Sequence, residues 1–175
     1  MKSRFSFRGL LIKDWLRIIS CYSDFISRKE LNEIGERMMV GVVILTHGRL
    51  AGAFLEASQQ VAGPQSQVEA IPLLPEHDMQ ERRDTLMQAI SRVNTGEGVI
   101  ILTDMFGGEA SNLAMSMLSI PRVEVIAGVN LPMLIKIFSK RKSTGLAEVA
   151  SSAQNTGRKY INIASQLLEP QRKAS

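Results

Sequence analysis

Cysteine is almost missing: Cys21 is the only one in 175 residues. That excludes an intramolecular disulfide and any cysteine-cluster zinc site, and it fits a reducing cytoplasm. Histidine is nearly as scarce. His47 and His77 are the only two, which leaves little for a histidine-rich metal site. No uncharged apolar run reaches the ~18 residues that a membrane-spanning helix needs. Several catalytic signatures are also missing. Without G-x-x-x-x-G-K-[ST], an ordinary P-loop nucleotide enzyme is unsupported. Without G-x-G-x-x-G after a strand, a dinucleotide fold is weakened. Without G-x-S-x-G, so is a nucleophile-elbow hydrolase. No internal repeat or low-complexity segment is visible.

The composition that remains is ordinary for a soluble globular chain: 45% apolar and 22% charged residues, which excludes a mostly disordered or fibrous protein. The length suits one domain with a sizeable core and is short for two. The net charge of +4 is uneven. Residues 1–38 hold eight Lys/Arg against five Asp/Glu, while residues 39–175 hold thirteen against twelve. The basic pI of 9.5 therefore mostly reports the first segment. It gives no reason to expect a nucleic-acid partner for the rest.

That first segment, residues 1–38, differs in character from the rest of the chain. Leu11, Ile12, Trp15, Ile18, Ile19, Tyr22, Phe25 and Ile26 recur at helical spacing. One reading is a basic amphipathic helix on a membrane surface or a partner. A signal peptide is a poor fit, because Lys13 and Asp14 interrupt the apolar run. The favoured expectation is an inert extension or a misplaced start. Met38 and Met39 stand just before the first convincing strand, and a start there leaves a full domain. The domain is then expected over 39–168, with a tail over 169–175.

From Met39 onward, strand and helix signals alternate. Strands are predicted at 40–45, 67–73, 99–103 and 123–127. Helices are predicted at 50–62, 79–93, 109–118, 131–140 and about 144–167, the last with a break at Gly157. Alternation of this kind predicts an α/β fold, doubly wound, with a mainly parallel sheet and helices on both faces. Right-handed crossovers give strand order 2-1-3-4, with room for one added edge strand.

In such a sheet, ligands bind beyond the carboxyl ends of the strands where the order reverses, between the first and third strands. His47 follows the first strand and Asp104 follows the third. The order predicts that they face each other. A carboxylate beside an imidazole fixes its tautomer and leaves the other ring nitrogen as nucleophile or base. Gly48 lets the backbone pass close to whatever His47 carries. Gly107 and Gly108, ahead of a helix, offer backbone N–H groups to an anion. This set suits phosphoryl transfer through a phosphohistidine. The plain alternative is a loop histidine beside a turn-forming aspartate.

Three strand-end motifs then point one way. They are Val43-Ile44-Leu45-Thr46-His47-Gly48, Leu102-Thr103-Asp104-Met105-Phe106-Gly107-Gly108, and Ile126-Ala127-Gly128-Val129-Asn130-Leu131-Pro132-Met133. Residues 40–168 carrying them resemble the enzyme IIA component of the mannose family of the bacterial phosphoenolpyruvate-dependent sugar phosphotransferase system. The resemblance covers none of residues 1–38. It implies that His47 accepts a phosphoryl group from phospho-HPr and that Asp104 hydrogen-bonds it. It also implies a cytoplasmic homodimeric phosphotransferase, reaching the membrane only indirectly by passing the group to a IIB domain that serves a permease. No cofactor and no metal is called for. The related phosphotransferase subunit of dihydroxyacetone kinase is a weaker match, because that branch favours Ser-His-Ser and a later Gly-Ser-Ala.

Two departures stand out. Where the family commonly continues Gly-Gly with Ser-Pro, this chain has Glu109-Ala110. Ionised Glu109 cannot donate to a phosphoryl group and would repel it if it pointed inward. Either it faces solvent in the first helical turn, or phosphoryl binding is altered, with Ser111 as a substitute donor. The chain also stops at Ser175, so a free-standing IIA protein is expected. Its acceptor would be a separate IIB component or, alternatively, a regulatory protein that reads the state of His47 without sugar transport. Among the remaining features, Lys136, Lys140, Arg141 and Lys142 form a solvated helix end or a docking patch for an acidic partner. Asn130 caps a helix or lines the crevice. Met105, Phe106, Met115, Met117 and Met133 are core or crevice wall, and His77 is an exposed turn residue.

Overall fold

The computed structural model describes residues 38–74 and 78–167. The N-terminal stretch, the turn holding His77 and the tail expected over 169–175 lie outside the described residues. Four strands form one sheet: β1 (Gly41–His47), β2 (Val68–Leu73), β3 (Val99–Thr103) and β4 (Val123–Ala127). The order is β2-β1-β3-β4, and every pairing is parallel. Five α-helices connect and cover them: α1 (Leu50–Ala62), α2 (Met79–Val93), α3 (Glu109–Met115), α4 (Leu131–Lys140) and α5 (Leu146–Lys159). The predicted doubly wound α/β topology is the one observed.

The central strands are apolar at nearly every position because both sheet faces are covered. Val43, Leu45 and Ile101 pack toward Leu86, Ala89, Ile90 and Val93 of α2 and Leu113 of α3. Val42, Ile44, Ile100 and Leu102 point the other way, against Leu134, Ile137 and Phe138 of α4 and Val149 and Ala153 of α5. Each face thus has its own core, and successive residues of β1 and β3 alternate between them.

Three boundaries differ from expectation, each for a physical reason. β1 runs on through His47, because its pairing with β2 persists to Leu73 and the Gly48 N–H reaches the Leu73 carbonyl at 3.1 Å. The helix predicted to end at 118 is α-helical only to Met115 and tightens into a 3₁₀ turn over Ser116–Ser119. The interruption expected at Gly157 in the helix over about 144–167 comes a few residues later: α5 passes through Gly157 to Lys159, the chain is non-helical over 161–163, and a short helical turn follows at 164–167. That glycine serves close packing. A Cβ there would lie 2.8 Å from Met133 Cε and 3.1 Å from Asn130 Nδ2, so its lack of a side chain lets α5 lie against the start of α4.

The basic cluster also reads differently in three dimensions. Arg141 is 1% exposed. Its guanidinium donates to Gln65 Oε1 (3.0 Å), the Ser66 carbonyl (2.7 Å) and the Gln67 carbonyl (3.3 Å), and it lies over the Phe138 ring. Burial lowers its pKa to about 10, so it stays charged at neutral pH. It clamps the entrance to β2 and is not part of a surface patch. Lys140 pairs with Glu148 at 2.9 Å, as a solvated helix end would.

Candidate functional site

The site is built by the carboxyl ends of β1 and β3. These strands are neighbours, with Leu45 in register with Thr103. Just beyond that register pair, His47 and Asp104 come together. His47 Nδ1 lies 2.8 Å from Asp104 Oδ2, and the His47 backbone N–H donates to the same oxygen at 3.1 Å. The other carboxylate oxygen accepts from the Met105 N–H at 3.0 Å. Two backbone N–H groups therefore fix the aspartate that orients the ring.

Exposure divides the pair. The imidazole is 46% exposed and the carboxylate 15%. Burial alone would push the Asp104 carboxyl up. The hydrogen bonds from the His47 ring and backbone, the attraction of His47 and the Met105 N–H outweigh that, and the carboxyl is held below its ordinary value. An ionised carboxylate can only accept. Nδ1 must then carry the proton, so in the neutral ring Nε2 presents its lone pair outward.

Gly108 sits against that ring. A Cβ built on it would lie 3.1 Å from His47 Cε1 and 3.6 Å from Nε2. Any side chain here would press on the imidazole. Gly107 takes φ +80 and Gly48 φ +52, the left-handed region where glycine is favoured. The loop is propped from beneath by Ser111. Its buried hydroxyl accepts from the Gly107 N–H (2.9 Å) and donates to the Gly108 carbonyl (3.1 Å). Ser111, expected as a donor toward the crevice, thus spends its hydrogen inside the loop, and the Gly107 N–H is likewise engaged. Asn130 Oδ1 accepts from the Met133 N–H (3.0 Å), capping α4, while Nδ2 donates to the Gly157 carbonyl at 3.3 Å.

Two surroundings of the site are not legible from the chain. Met105 and Phe106 are 55% and 75% exposed, so they form an open apolar rim and not a core, while Met117 and Met133 are buried. Arg82 carries no motif of its own, yet its guanidinium pairs with Glu109 and donates to the Leu74 carbonyl at 2.7 Å. The only hint is the Asp78-x-x-Glu81 capping box, which starts α2 and fixes where Arg82 points. Among the described residues, no group of three or more His, Cys, Asp or Glu could hold a metal ion, and no helix is long and apolar enough to cross a membrane.

This geometry can be set beside known proteins. The family described as the PTS system fructose IIA component matches residues 41–154. The chain belongs to that family. This IIA chain is therefore a phosphotransfer component of the sugar phosphotransferase system. It is 28% identical over 132 residues to the PTS system fructose-specific EIIA component of Bacillus subtilis, covering 75% of this chain and 90% of that one. It is 29% identical over 126 residues to the mannose-specific EIIAB component of Escherichia coli K12, covering 71% of this chain but only 39% of that longer protein. Among solved structures, the PTS IIA protein associated with the fucose utilization operon of Streptococcus pneumoniae superposes with a TM-score of 0.64 at 27% identity, covering 74% and 97% of the two chains. An EIIA structure from Streptococcus agalactiae shares the fold at a TM-score of 0.67 and 20% identity, covering 73% of this chain and 99% of that one.

Proposed function

We propose that this IIA protein is a phosphohistidine carrier: His47 Nε2 takes a phosphoryl group from phospho-HPr and passes it to a IIB component during sugar uptake. The observation that carries this reading is the 2.8 Å contact between His47 Nδ1 and Asp104 Oδ2, which commits one ring nitrogen and leaves the other free.

The transfer step balances without a cofactor. The lone pair on Nε2 forms the new N–P bond as the N–P bond to the donor imidazole breaks. The electron pair of the broken bond returns to that donor imidazole. The proton on Nδ1 stays in its hydrogen bond to Asp104, which stabilises the cationic character the ring gains during attack. Transfer onward is the same step in reverse, on the acceptor's nucleophile. Positioning and electrostatics are all the protein has to supply.

Asp104 orients the ring, Gly108 keeps space beside it, and Gly48 and Gly107 shape the loops around it. Ser111 supports the glycine loop from below. Donor and acceptor dock in turn on the same face, over the open rim of Met105 and Phe106. The protein works as a cytoplasmic homodimer. Support for a dimer comes from β4, an edge strand beside a hollow of about 570 Å3 that includes Phe106 and the exposed Ile161. The domain that works this way is 39–168.

The test is phosphotransfer followed by intact mass. With phosphoenolpyruvate, enzyme I and HPr, the wild type gains one acid-labile phosphoryl group and His47→Ala gains none. Absence of that gain with a competent HPr overturns the reading.

A further inference from the structure

The residue after the glycine pair creates an electrostatic problem that the structure answers. A Cβ on Gly108 would lie 3.1 Å from the His47 ring, and Glu109 is one Cα step, about 3.8 Å, further along. A phosphoryl group on His47 would carry close to two negative charges at neutral pH, to judge from phosphorylated side chains at about −1.5 to −2. A free Glu109 carboxylate turned toward it would stand inside the ~8 Å over which charges act at physiological salt. Like charges there would oppose phosphorylation.

Glu109 is not free. Its Oε1 is bonded to Arg82 Nη1. The Arg82 side chain is only 9% exposed. It is anchored independently, because its other terminal nitrogen donates to the Leu74 carbonyl at 2.7 Å, next to Leu73, which is in register with His47. The capping box fixes the helix that carries it, with Glu81 N–H to Asp78 Oδ1 at 2.8 Å. Arg82 is thus a largely covered cation with an anchor of its own, and it holds the Glu109 carboxylate.

We propose that Arg82 is a positioning residue for the phosphoryl site: it neutralises Glu109 and holds it away from His47, which lets a carboxylate occupy the place beside the glycine pair. This inference rests on the phosphocarrier reading above and adds a condition to it. The condition makes a double-variant cycle informative. Arg82→Ala frees Glu109 and slackens the Leu74 anchor. Arg82→Ala with Glu109→Gln keeps the slack but removes the charge.

The experiment measures the fraction of protein phosphorylated at fixed phospho-HPr to HPr ratios, in 0.1 M and 1 M salt, for wild type, Arg82→Ala, Glu109→Gln and the double variant. Circular dichroism melts confirm that each is folded. The expected result is an Arg82→Ala equilibrium constant about tenfold below wild type at low salt, which is ~1.4 kcal/mol. The double variant recovers to within about threefold, a coupling of the size found for contacting residues. The Arg82→Ala defect shrinks at 1 M salt, where the screening length is near 3 Å. If the double variant is as impaired as Arg82→Ala, or the defect ignores salt, Arg82 acts through the Leu74 anchor or on the phosphoryl group itself, and the proposal falls. If Arg82→Ala matches wild type, it falls too. A wild type that takes no phosphoryl group overturns the phosphocarrier reading and this inference with it. A modified wild type with a flat cycle overturns the inference alone.

Discussion

Gly108→Ala is the most direct perturbation of the site. Gly108 has φ −84 and ψ 175, a conformation any residue adopts, so alanine adds no backbone strain there. It adds one methyl group, 3.1 Å from His47 Cε1 and 3.3 Å from Met105 Cγ. Carbon atoms rest at about 3.5–4.0 Å, so the neighbours must retreat by roughly half an ångström. Met105 is exposed and can yield on its side. The imidazole cannot yield freely, because its Nδ1 is tied to Asp104 at 2.8 Å and its backbone N–H is tied to the same oxygen. The ring must turn, and turning it moves Nε2 off the line of attack.

A misplacement of 1 Å costs about 10²-fold in a positioned reaction. Half of that predicts a transfer rate about tenfold below wild type, ~1.4 kcal/mol in activation free energy. Overall stability should change by less than about 1 kcal/mol, since alanine also lowers the entropy of the unfolded chain. The assay is rapid-quench transfer from phospho-HPr, with urea unfolding alongside. Gly107→Ala is the control with the opposite signature. A Cβ there meets nothing within 4 Å, but φ is +80, so it should lose about 1 kcal/mol of stability or more. Its effect on rate should be smaller than that of Gly108→Ala once both are compared as folded protein. A Gly108→Ala variant that transfers at the wild-type rate would refute the idea that the ring is clamped between Asp104 and the glycine loop.

Three further outcomes rest on the same structure. Asp104→Asn should cut transfer by about 10²-fold or more, because an amide no longer fixes the ring tautomer through an anionic acceptor. Since the Asp104 carboxyl is held below its ordinary value, its ionised form contributes stability above the unfolded value near 3.9 and loses it as pH falls through the folded one. The wild-type advantage over Asp104→Asn in urea should therefore be flat near neutrality and disappear below about pH 4. Arg141→Ala strips the carbonyls of Ser66 and Gln67 and the Gln65 side chain of a buried donor, and should lower stability by about 3 kcal/mol while leaving transfer per folded molecule unchanged. Asn130→Ala removes a helix cap and the bond to the Gly157 carbonyl, and should cost about 1–2 kcal/mol in urea unfolding.

Much of this is legible in the chain because the local signals agree with the fold. Val42 to Leu45 and Ile100 to Leu102 are apolar without alternation, as strands covered on both faces must be, and helical runs separate them. Strand order then comes from handedness, and it puts His47 opposite Asp104. Sequence reasoning fails wherever the answer depends on a neighbour distant in the chain. Gly157 reads as a helix break because its contact with Asn130 and Met133, on another helix, is invisible in its own window. Arg141 reads as part of a basic surface because its acceptors lie some seventy residues away, at the entrance to β2. Ser111 reads as available because only the folded loop shows its hydroxyl closing on Gly107 and Gly108.

Glu109 combines both cases, and under the proposed carrier reading its pairing with Arg82 gives a reason why a carboxylate can stand here. For the proposed transfer between two proteins the His47 ring must stay exposed, and it is 46% exposed. Exposure brings water and salt, which screen charge and weaken any single contact. On the proposed reading the positioning groups are covered ones: Asp104 behind the ring, Ser111 under the loop and Arg82 beside it. A substitution on the rim is tolerable when a covered group can fix its charge and direction. A carboxylate beside a phosphoryl group would oppose it on an open surface. Next to a largely buried arginine, already anchored to the end of β2, it becomes a pair of near-zero net charge. The sequence alone shows the acid and hints at the base only through the capping box that starts α2, because Arg82 lies twenty-seven residues upstream, on a different helix.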